Sequence, residues 1–311
     1  MKVLVTGGAG FIGRWVVKSL LDGHDVVVLD NLCNGNEKTI EEFQRKSNFK
    51  FVKADILDRN SLNNAFKEID LCIHLAAQTS VQKSLDNPDE NFQTNVVGTY
   101  NVLEACRKND AKLVLVGTCL VYDSASYKPI NEKHPIKPVS PYAASKVAAE
   151  EMAISYLHCY GLPLVVTRPF NTYGPYQKSN TEGGVVSIFI KRYLDGENLM
   201  VYGDGRQTRD LLYVEDCADF IAKATFCESA IGEAINAGTG RDISINNLAL
   251  MICKDEARIK HVPHHHPQSE IRKLVCDYSK AGKLLGWEPK TSLEEGIQKT
   301  VNWMRKWEKG L

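Results

Sequence analysis

The sequence predicts an α/β protein: a doubly wound parallel sheet with a smaller α/β lobe interleaved with it. Three observations carry this. The first thirty residues run strand, glycine loop, helix, strand; a βα alternation continues from there to Arg168; and the rhythm breaks at Asn171 into shorter elements. The division falls at residues 1–170 and 171–311, and the second part contains no repeat or low-complexity linker that marks a separately folding unit.

Lys2–Thr6 (KVLVT) is a β-branched run suited to a strand buried on both faces. Gly7, Gly10 and Gly13 open into a helical pattern of Phe11, Ile12, Val16, Val17, Leu20 and Leu21, which Gly23 stops. Asp25–Leu29 forms the second strand, ending at Asp30. A polar segment, 31–48, precedes a third strand at Phe49–Ala54, and Ser61–Glu68 is a short amphipathic helix. Asp70–Ala76 is a strand, Glu90–Lys108 a helix, Lys112–Val116 a strand, Tyr142–Tyr160 a helix and Pro163–Arg168 a strand. Beyond the Tyr173–Tyr176 turn come a helix at Val185–Leu194, a strand at Leu199–Tyr202 and a glycine turn at 203–205. A helix at Val214–Thr225, a strand at Glu233–Ala237, a helix from Ser244 and an amphipathic helix at Leu293–Trp307 follow.

The glycine spacing has a physical purpose. One glycine makes the tight turn, one lets backbone N–H groups approach a pyrophosphate, and one lets helix and strand pack closely; the helix N-terminus then faces the phosphates. Asp30 ends the second strand, where a carboxylate accepts from a ribose 2′-hydroxyl and repels a 2′-phosphate, so NAD is expected over NADP. The other reading of the glycines is a Rossmann-type sheet that has lost its cofactor.

Bulk properties exclude several classes. At 311 residues with 43% hydrophobic and 24% charged residues, the chain is neither disordered nor fibrous. Lys+Arg and Asp+Glu number 38 each, so no net charge recruits nucleic acid or an anionic membrane. No apolar stretch reaches bilayer-spanning length, and the first strand begins at once, leaving no room for a signal peptide. The nine cysteines lack CxxC pairing, and reduced thiols in a cytoplasmic protein are expected. His264-His265-His266, flanked by Pro263 and Pro267, is expected to be a solvated loop rather than a metal site.

Tyr142 and Lys146 stand one helical turn apart on one face. An ammonium beside a phenol stabilises the tyrosinate and lowers its pKa, which suits an acid–base role near neutral pH. An exposed helix face is the plain alternative. Thr118 follows the strand Lys112–Val116, at the sheet's carboxyl end, where its hydroxyl can meet a substrate oxygen.

With these residues in view, the chain resembles the extended short-chain dehydrogenases/reductases, specifically the nucleotide-sugar epimerases and dehydratases. TGGAGFIG (6–13), LDNLCNG (29–35), HLAAQ (74–78), NVVGTYN (95–101), PYAASK (141–146), RPFNTYGP (168–175) and GDGRQTRDLLYVED (203–216) carry the likeness. The resemblance implies that NAD stays bound and is recycled. Phe11 and Ile12 would line its pyrophosphate, Asp30, Asn31, Asn34 and Gly35 the adenosine ribose side, and Asp55 and Ile56 the adenine. Leu75, Ala76, Ala77, Gln78, Asn95 and Phe170 would border the nicotinamide half. Thr118, Tyr142 and Lys146 match the catalytic trio. Asn171 and Arg209 match contacts to the substrate diphosphate, Tyr202 lies where the nucleobase is cradled, and Val185 and Val186 flank the same nucleotide-sugar site. For Arg209 a surface ion pair with Asp210 or Asp204 is the alternative.

Within the family, the 4-keto sugar formed by oxidation at C4 has several fates. Leu120 stands where a dehydratase carries its base glutamate, and Cys119 occupies the neighbouring acid position, as a candidate acid or a packed small residue. Pro267 replaces a diphosphate-binding arginine, for which Arg272 is the candidate substitute. The implied activity is a 4-epimerase on a UDP-sugar, with dehydratase or decarboxylase as the alternative and a non-catalytic NAD-binding sensor as a remote one. The family also implies a homodimer through a four-helix bundle, with Val97, Val102, Ala105, Val147 and Met152 as candidate face residues.

Overall fold

A computed structural model describes residues 1–125, 129–180 and 184–308. Its strands are β1 (Lys2–Thr6), β2 (Asp25–Asp30), β3 (Phe49–Lys53), β4 (Leu71–His74), β5 (Lys112–Val116), β6 (Leu164–Pro169), β7 (Asn171–Tyr173), β8 (Leu199–Tyr202), β9 (Thr208–Tyr213), β10 (Ala234–Ala237), β11 (Asp242–Ser244) and β12 (Ile259–Val262). The longer helices are α1 (Phe11–Leu20), α2 (Arg59–Ala65), α3 (Val81–Asp86), α4 (Pro88–Phe92), α5 (Gly98–Lys108), α6 (Pro141–Tyr160), α7 (Val185–Leu194), α8 (Val214–Phe226), α9 (Ile245–Cys253), α10 (Ser279–Leu285) and α11 (Leu293–Glu308).

Seven strands form one parallel sheet in the order β10-β6-β5-β4-β1-β2-β3. Strand alternation assigns the two faces. Val3, Val5, Val26 and Val28 pack with Val16, Val17 and Leu20 of α1 and with Phe220 and Ile221 of α8. Leu4, Val27, Leu29, Leu113 and Leu115 point the other way, onto Leu62, Val102, Leu103, Ala153 and Tyr156. Both faces are covered, which is why the strands read as continuous apolar runs rather than as alternating ones. Chain order reverses between β1 and β4, and ligands of such sheets bind at that switch point, beyond the strands' carboxyl ends.

The second lobe has its own core of Phe189, Ile190, Leu211, Leu248 and Val301. It contains a three-stranded sheet, β11-β9-β7, and a β12-β8 pair. Of these five strands only β8 is legible in the sequence. The lobe is interleaved with the first domain as expected, because β10 returns to pair with β6 in the main sheet. The helix expected over Glu90–Lys108 is interrupted. Asn87 caps α4 by accepting from the Glu90 N–H (3.2 Å) with Pro88 in its first turn; a π-helical turn at Gln93–Val97 then leads into α5. Such wide turns cluster at functional sites because they displace one side chain from the helical register; here that turn carries Asn95. Among the described residues no helix is long and apolar enough to cross a membrane.

Candidate active site

A cleft of about 760 Å³ crosses the carboxyl ends of the strands, from the glycine loop to α11. At its cofactor end the backbone does most of the work. Gly7 has φ +71°, a region L side chains rarely adopt. A Cβ on Gly13 would fall on the Gly7 carbonyl and lie 2.8 Å from the Gly8 Cα. No side chain caps α1 and its first turn carries no acid, so its leading N–H groups remain available to a phosphate. Asp30 accepts from Ala9 N (3.0 Å) and Leu32 N (2.8 Å), and burial raises its pKa from the ordinary value. The carboxylate thereby fixes the loop while lining the cleft. The close glycine approach, the uncapped helix and the acid at the end of β2 fit NAD.

Gly7, Gly10, Phe11, Ile12, Gly13, Asp30, Asn31, Asn34, Gly35, Asp55, Ile56, Leu75, Ala76, Ala77 and Phe170 all line this cleft, with Thr118, Cys119, Tyr142, Lys146 and Asn171. Gln78 and Asn95 do not: both are buried behind the wall. Asn95 Oδ1 accepts from Gln78 N (2.8 Å), and its Nδ2 donates to Ser145 Oγ (2.9 Å). Ser145 in turn donates to the Tyr142 carbonyl (2.8 Å). Asn95 therefore braces the first turn of α6 rather than facing the cleft. Thr79 and Thr94 line the wall without having been singled out by any motif.

The α6 N-terminus is fixed by Ser140, whose Oγ accepts from Ala143 N (3.2 Å), and by Ser84, whose Oγ accepts from Tyr142 N (3.1 Å). Tyr142 hydrogen-bonds the Thr118 hydroxyl, yet burial outweighs that bond and pushes the phenol up to about 12. This is opposite to the lowering expected from Lys146. The reason is geometric: Lys146 Nζ donates to the Val116 carbonyl (2.7 Å), and burial brings the amine down to about 8. Cys119 is likewise pushed by burial up to about 12 and is a neutral thiol at pH 7.

The substrate-side candidates separate. Val186 is buried in the lobe core, and neither it nor Val185 lines the cleft. Tyr202 lies outside the cleft, 42% exposed, its ring 4.6 Å from that of His265. Arg209 also lies outside it. Its guanidinium donates to the Thr208 (2.8 Å) and Ile271 (2.9 Å) carbonyls and pairs with Glu270, not with Asp210 or Asp204. Arg272 is 67% exposed and pairs with Asp204 (3.0 Å), so it does not take the place of an arginine at Pro267. The histidine run is not a solvated loop either. His266 is buried, and His264 Nε2 lies 2.7 Å from Glu270 Oε2; only His265 is exposed. Among the described residues no group of three His, Cys, Asp or Glu side chains could hold a metal ion.

The cleft thus joins a dinucleotide cradle to a Thr–Tyr–Lys trio, and the family comparison agrees. The model of the GDP-mannose 4,6 dehydratase family matches residues 4–300. The chain belongs to this family of nucleotide-sugar epimerases and dehydratases within the extended short-chain dehydrogenases/reductases. It is an enzyme. It is similar to the putative UDP-glucose 4-epimerase of Methanocaldococcus jannaschii, at 39% identity over 97% of this chain and 98% of the relative. A solved structure of a protein named Pal from Bacillus thuringiensis is 54% identical, with TM-score 0.97, covering 99% of this chain and 100% of the other. The UDP-glucose 4-epimerase of Thermus thermophilus, solved as a complex with NAD, is 35% identical, with TM-score 0.89 and coverage of 98% and 99%.

Proposed function

We propose that the chain is an NAD-dependent nucleotide-sugar 4-epimerase acting on a UDP-sugar through a transient 4-keto intermediate. One observation carries the reading. Among the described residues that line the cleft, the carboxylates are Asp30 and Asp55, both on the β2–β3 side, far along the sheet from Thr118, Tyr142 and Asn171. Leu120 occupies the wall after Thr118, and the Cys119 thiol is neutral. Among the described residues at the sugar end, none is therefore suited to take a C5 proton, which elimination of water requires. Elimination is thereby disfavoured, and the Thr118–Tyr142–Lys146 trio suits chemistry at a hydroxyl.

Gly7, Gly10, Gly13 and Asp30 would hold NAD, which when bound supplies a reversible hydride acceptor. Tyr142, ionised to tyrosinate, then takes the proton of the C4 hydroxyl and returns it after the ketone has presented its other face. Thr118 orients that oxygen through its hydrogen bond to Tyr142. Lys146, moved from the Val116 carbonyl toward the phenol and the cofactor ribose, stabilises the tyrosinate. Asn171 Oδ1, buried without a partner among the described residues, is available to the substrate, and Arg209 supplies the diphosphate's cation once Glu270 is displaced.

The names of relatives support UDP as the nucleotide. A homodimer through α5 and α6 is supported by exposed Met152 and Tyr160 on α6, although Val102 and Ala105, expected on that face, are buried within the chain. The cysteines, all free, support a reducing cytoplasmic setting. Residues 177–180 and Gly184 line the cleft, and residues 181–183 between them lie outside the described residues.

Proton NMR of the purified protein with NAD and a panel of UDP-, dTDP- and GDP-sugars tests the assignment. A C4-inverted product with C6 intact is expected. A 4-keto-6-deoxy, unsaturated or pentose product would overturn it.

A further inference from the structure

Beneath the trio lies a buried ion pair for which the chemistry above has no use. Glu150 is on α6, one turn beyond Lys146 on the same face, and is 2% exposed. Its Oε2 accepts from both Nε (3.0 Å) and an Nη (2.6 Å) of Arg168, on β6, whose side chain is 6% exposed. The other guanidinium nitrogen donates to the Tyr122 hydroxyl (2.7 Å), which donates to Asn236 Oδ1 (2.9 Å). Asn236 is the register partner of Arg168 on β10, so the fork is pinned from both sides. Glu150 Oε1 is left without a partner among the described residues, and a Cβ on Gly117 would run into it. Burying a carboxylate with one oxygen unpaired, directly under the strand end that presents Thr118, costs stability unless another charge needs it there.

We propose that Glu150, clamped by Arg168, is a positioning residue that serves as the internal counter-ion of Lys146 and keeps that amine an ammonium at working pH. This rests on the reading of Tyr142 and Lys146 as the acid–base pair. Among the described residues, Glu150 is the anion that acts on Lys146. Around it stand His74 on β4, the neutral thiol of Cys119 beyond β5, the neutral phenol of Tyr142, and Glu150 with Arg168 behind it. His74 adds no charge: Ala76 N–H donates to Thr6 Oγ, Thr6 to His74 Nδ1 (2.7 Å), His74 Nε2–H to Thr99 Oγ (3.0 Å) and Thr99 to the Asn95 carbonyl (2.6 Å). That order of donors assigns a single neutral tautomer. Burial lowers Lys146 and Glu150 opposes the lowering, leaving it at about 8. Arg168 limits how strongly Glu150 acts. Burial works against the guanidinium's charge too, but Glu150 and Tyr122 outweigh that and keep it fully charged.

The opposite charges of Glu150 and Arg168 should push Lys146 in opposite directions, and removing each in turn reads that coupling. In protein labelled with [ε-13C]lysine, the Lys146 resonance is identified by its loss in Lys146→Met, and its titration is followed by NMR. The midpoint near 8 is expected to fall by about one unit or more in Glu150→Gln and to rise in Arg168→Met. Where a single variant does not fold, Glu150→Gln/Arg168→Met, which buries neither charge, is used; the midpoint falls there too, because the nearer charge has gone. Midpoints that stay within about 0.3 unit of the wild type, or that move the same way in both single variants, overturn the proposal. The titration needs no substrate, so it stands apart from the epimerase assignment. If turnover is found, the alkaline limb of kcat/KM moves with the midpoint.

Discussion

The cofactor end of the cleft and the charged cluster around Arg209, which lies outside the cleft, are built by different means. At the cofactor end the site is backbone: a glycine loop, a helix N-terminus and one acid, all within thirty consecutive residues. In that cluster, proposed to meet the substrate's diphosphate, it is side chains from distant segments. Arg209 on β9, Glu270 and His264 meet across some sixty residues of chain, and the arginine is already paired before any diphosphate arrives. A site made of backbone is preformed, and its fit is limited by whether an atom can be added. A site made of paired charges must exchange one partner for another, and its fit is limited by what is displaced. Tyr142 stands at the seam, and changes on either side of it separate the two kinds of construction.

The largest effect is expected at the seam itself. Tyr142→Phe keeps the packing and removes the acid–base hydroxyl, so turnover should fall roughly 10²–10⁴-fold while the purified protein still carries its cofactor. Near-normal turnover would mean that another group moves the proton. On the backbone side, Gly13→Ala places a methyl against the Gly7 carbonyl and Gly8 Cα, neither of which can rotate away. Overpacking of this kind costs about 1–3 kcal/mol. A lowered melting temperature and loss of co-purified NAD are expected, and an unchanged NAD content would show that the loop has slack.

On the side-chain side, Arg209→Met should weaken UDP binding by roughly 10–150-fold, the worth of a charge-assisted hydrogen-bonding group of about 1.5–3 kcal/mol. Arg272→Ala should change it by less than about fivefold, since an exposed pair with Asp204 is worth about 0–1 kcal/mol. Calorimetry of UDP binding distinguishes them, and equal losses would return Arg272 to the site. The smallest effect is on stability. His74 is held down to about 3, chiefly by burial and then by Lys146. An unfolded histidine takes up a proton near pH 6.5 that the folded one refuses, so between about pH 6.5 and 3 this group makes stability fall as pH falls, by at most about 1.4 kcal/mol per unit. Denaturant midpoints at pH 7.5, 6 and 5 should show the decline, and it should flatten in His74→Asn.

The same contrast explains what could be read in the sequence. β1, α1 and β2 match their expected bounds closely, because each is specified by contiguous apolar residues and its own punctuation. Gly7 and Gly13 were legible because a backbone requirement leaves one residue type. The π turn at Gln93–Val97 was not, since NVVGTYN has a helical period and the extra residue is imposed by Asn95 reaching Gln78 and Ser145. β7 and β11 are three residues each, too short for a period, and exist because β9 lies between them. Arg272 and Arg209 look alike on paper; only the fold pairs one with Asp204 in solvent and the other with Glu270 under cover. The direction of the Tyr142 shift was misjudged for a related reason, as spacing puts Lys146 beside the phenol but not which acceptor its ammonium prefers.

A 4-epimerase confines its chemistry to C4, and one labelling experiment reads this directly. A UDP-sugar carrying deuterium at C4 is incubated with the enzyme in ordinary water, and the product is analysed by deuterium and proton NMR. A C4-inverted sugar that retains the deuterium at C4 and has exchanged no proton at C5 is expected. Retained configuration at C4 with solvent hydrogen at C5, or loss of water or carbon dioxide from C6, would contradict it.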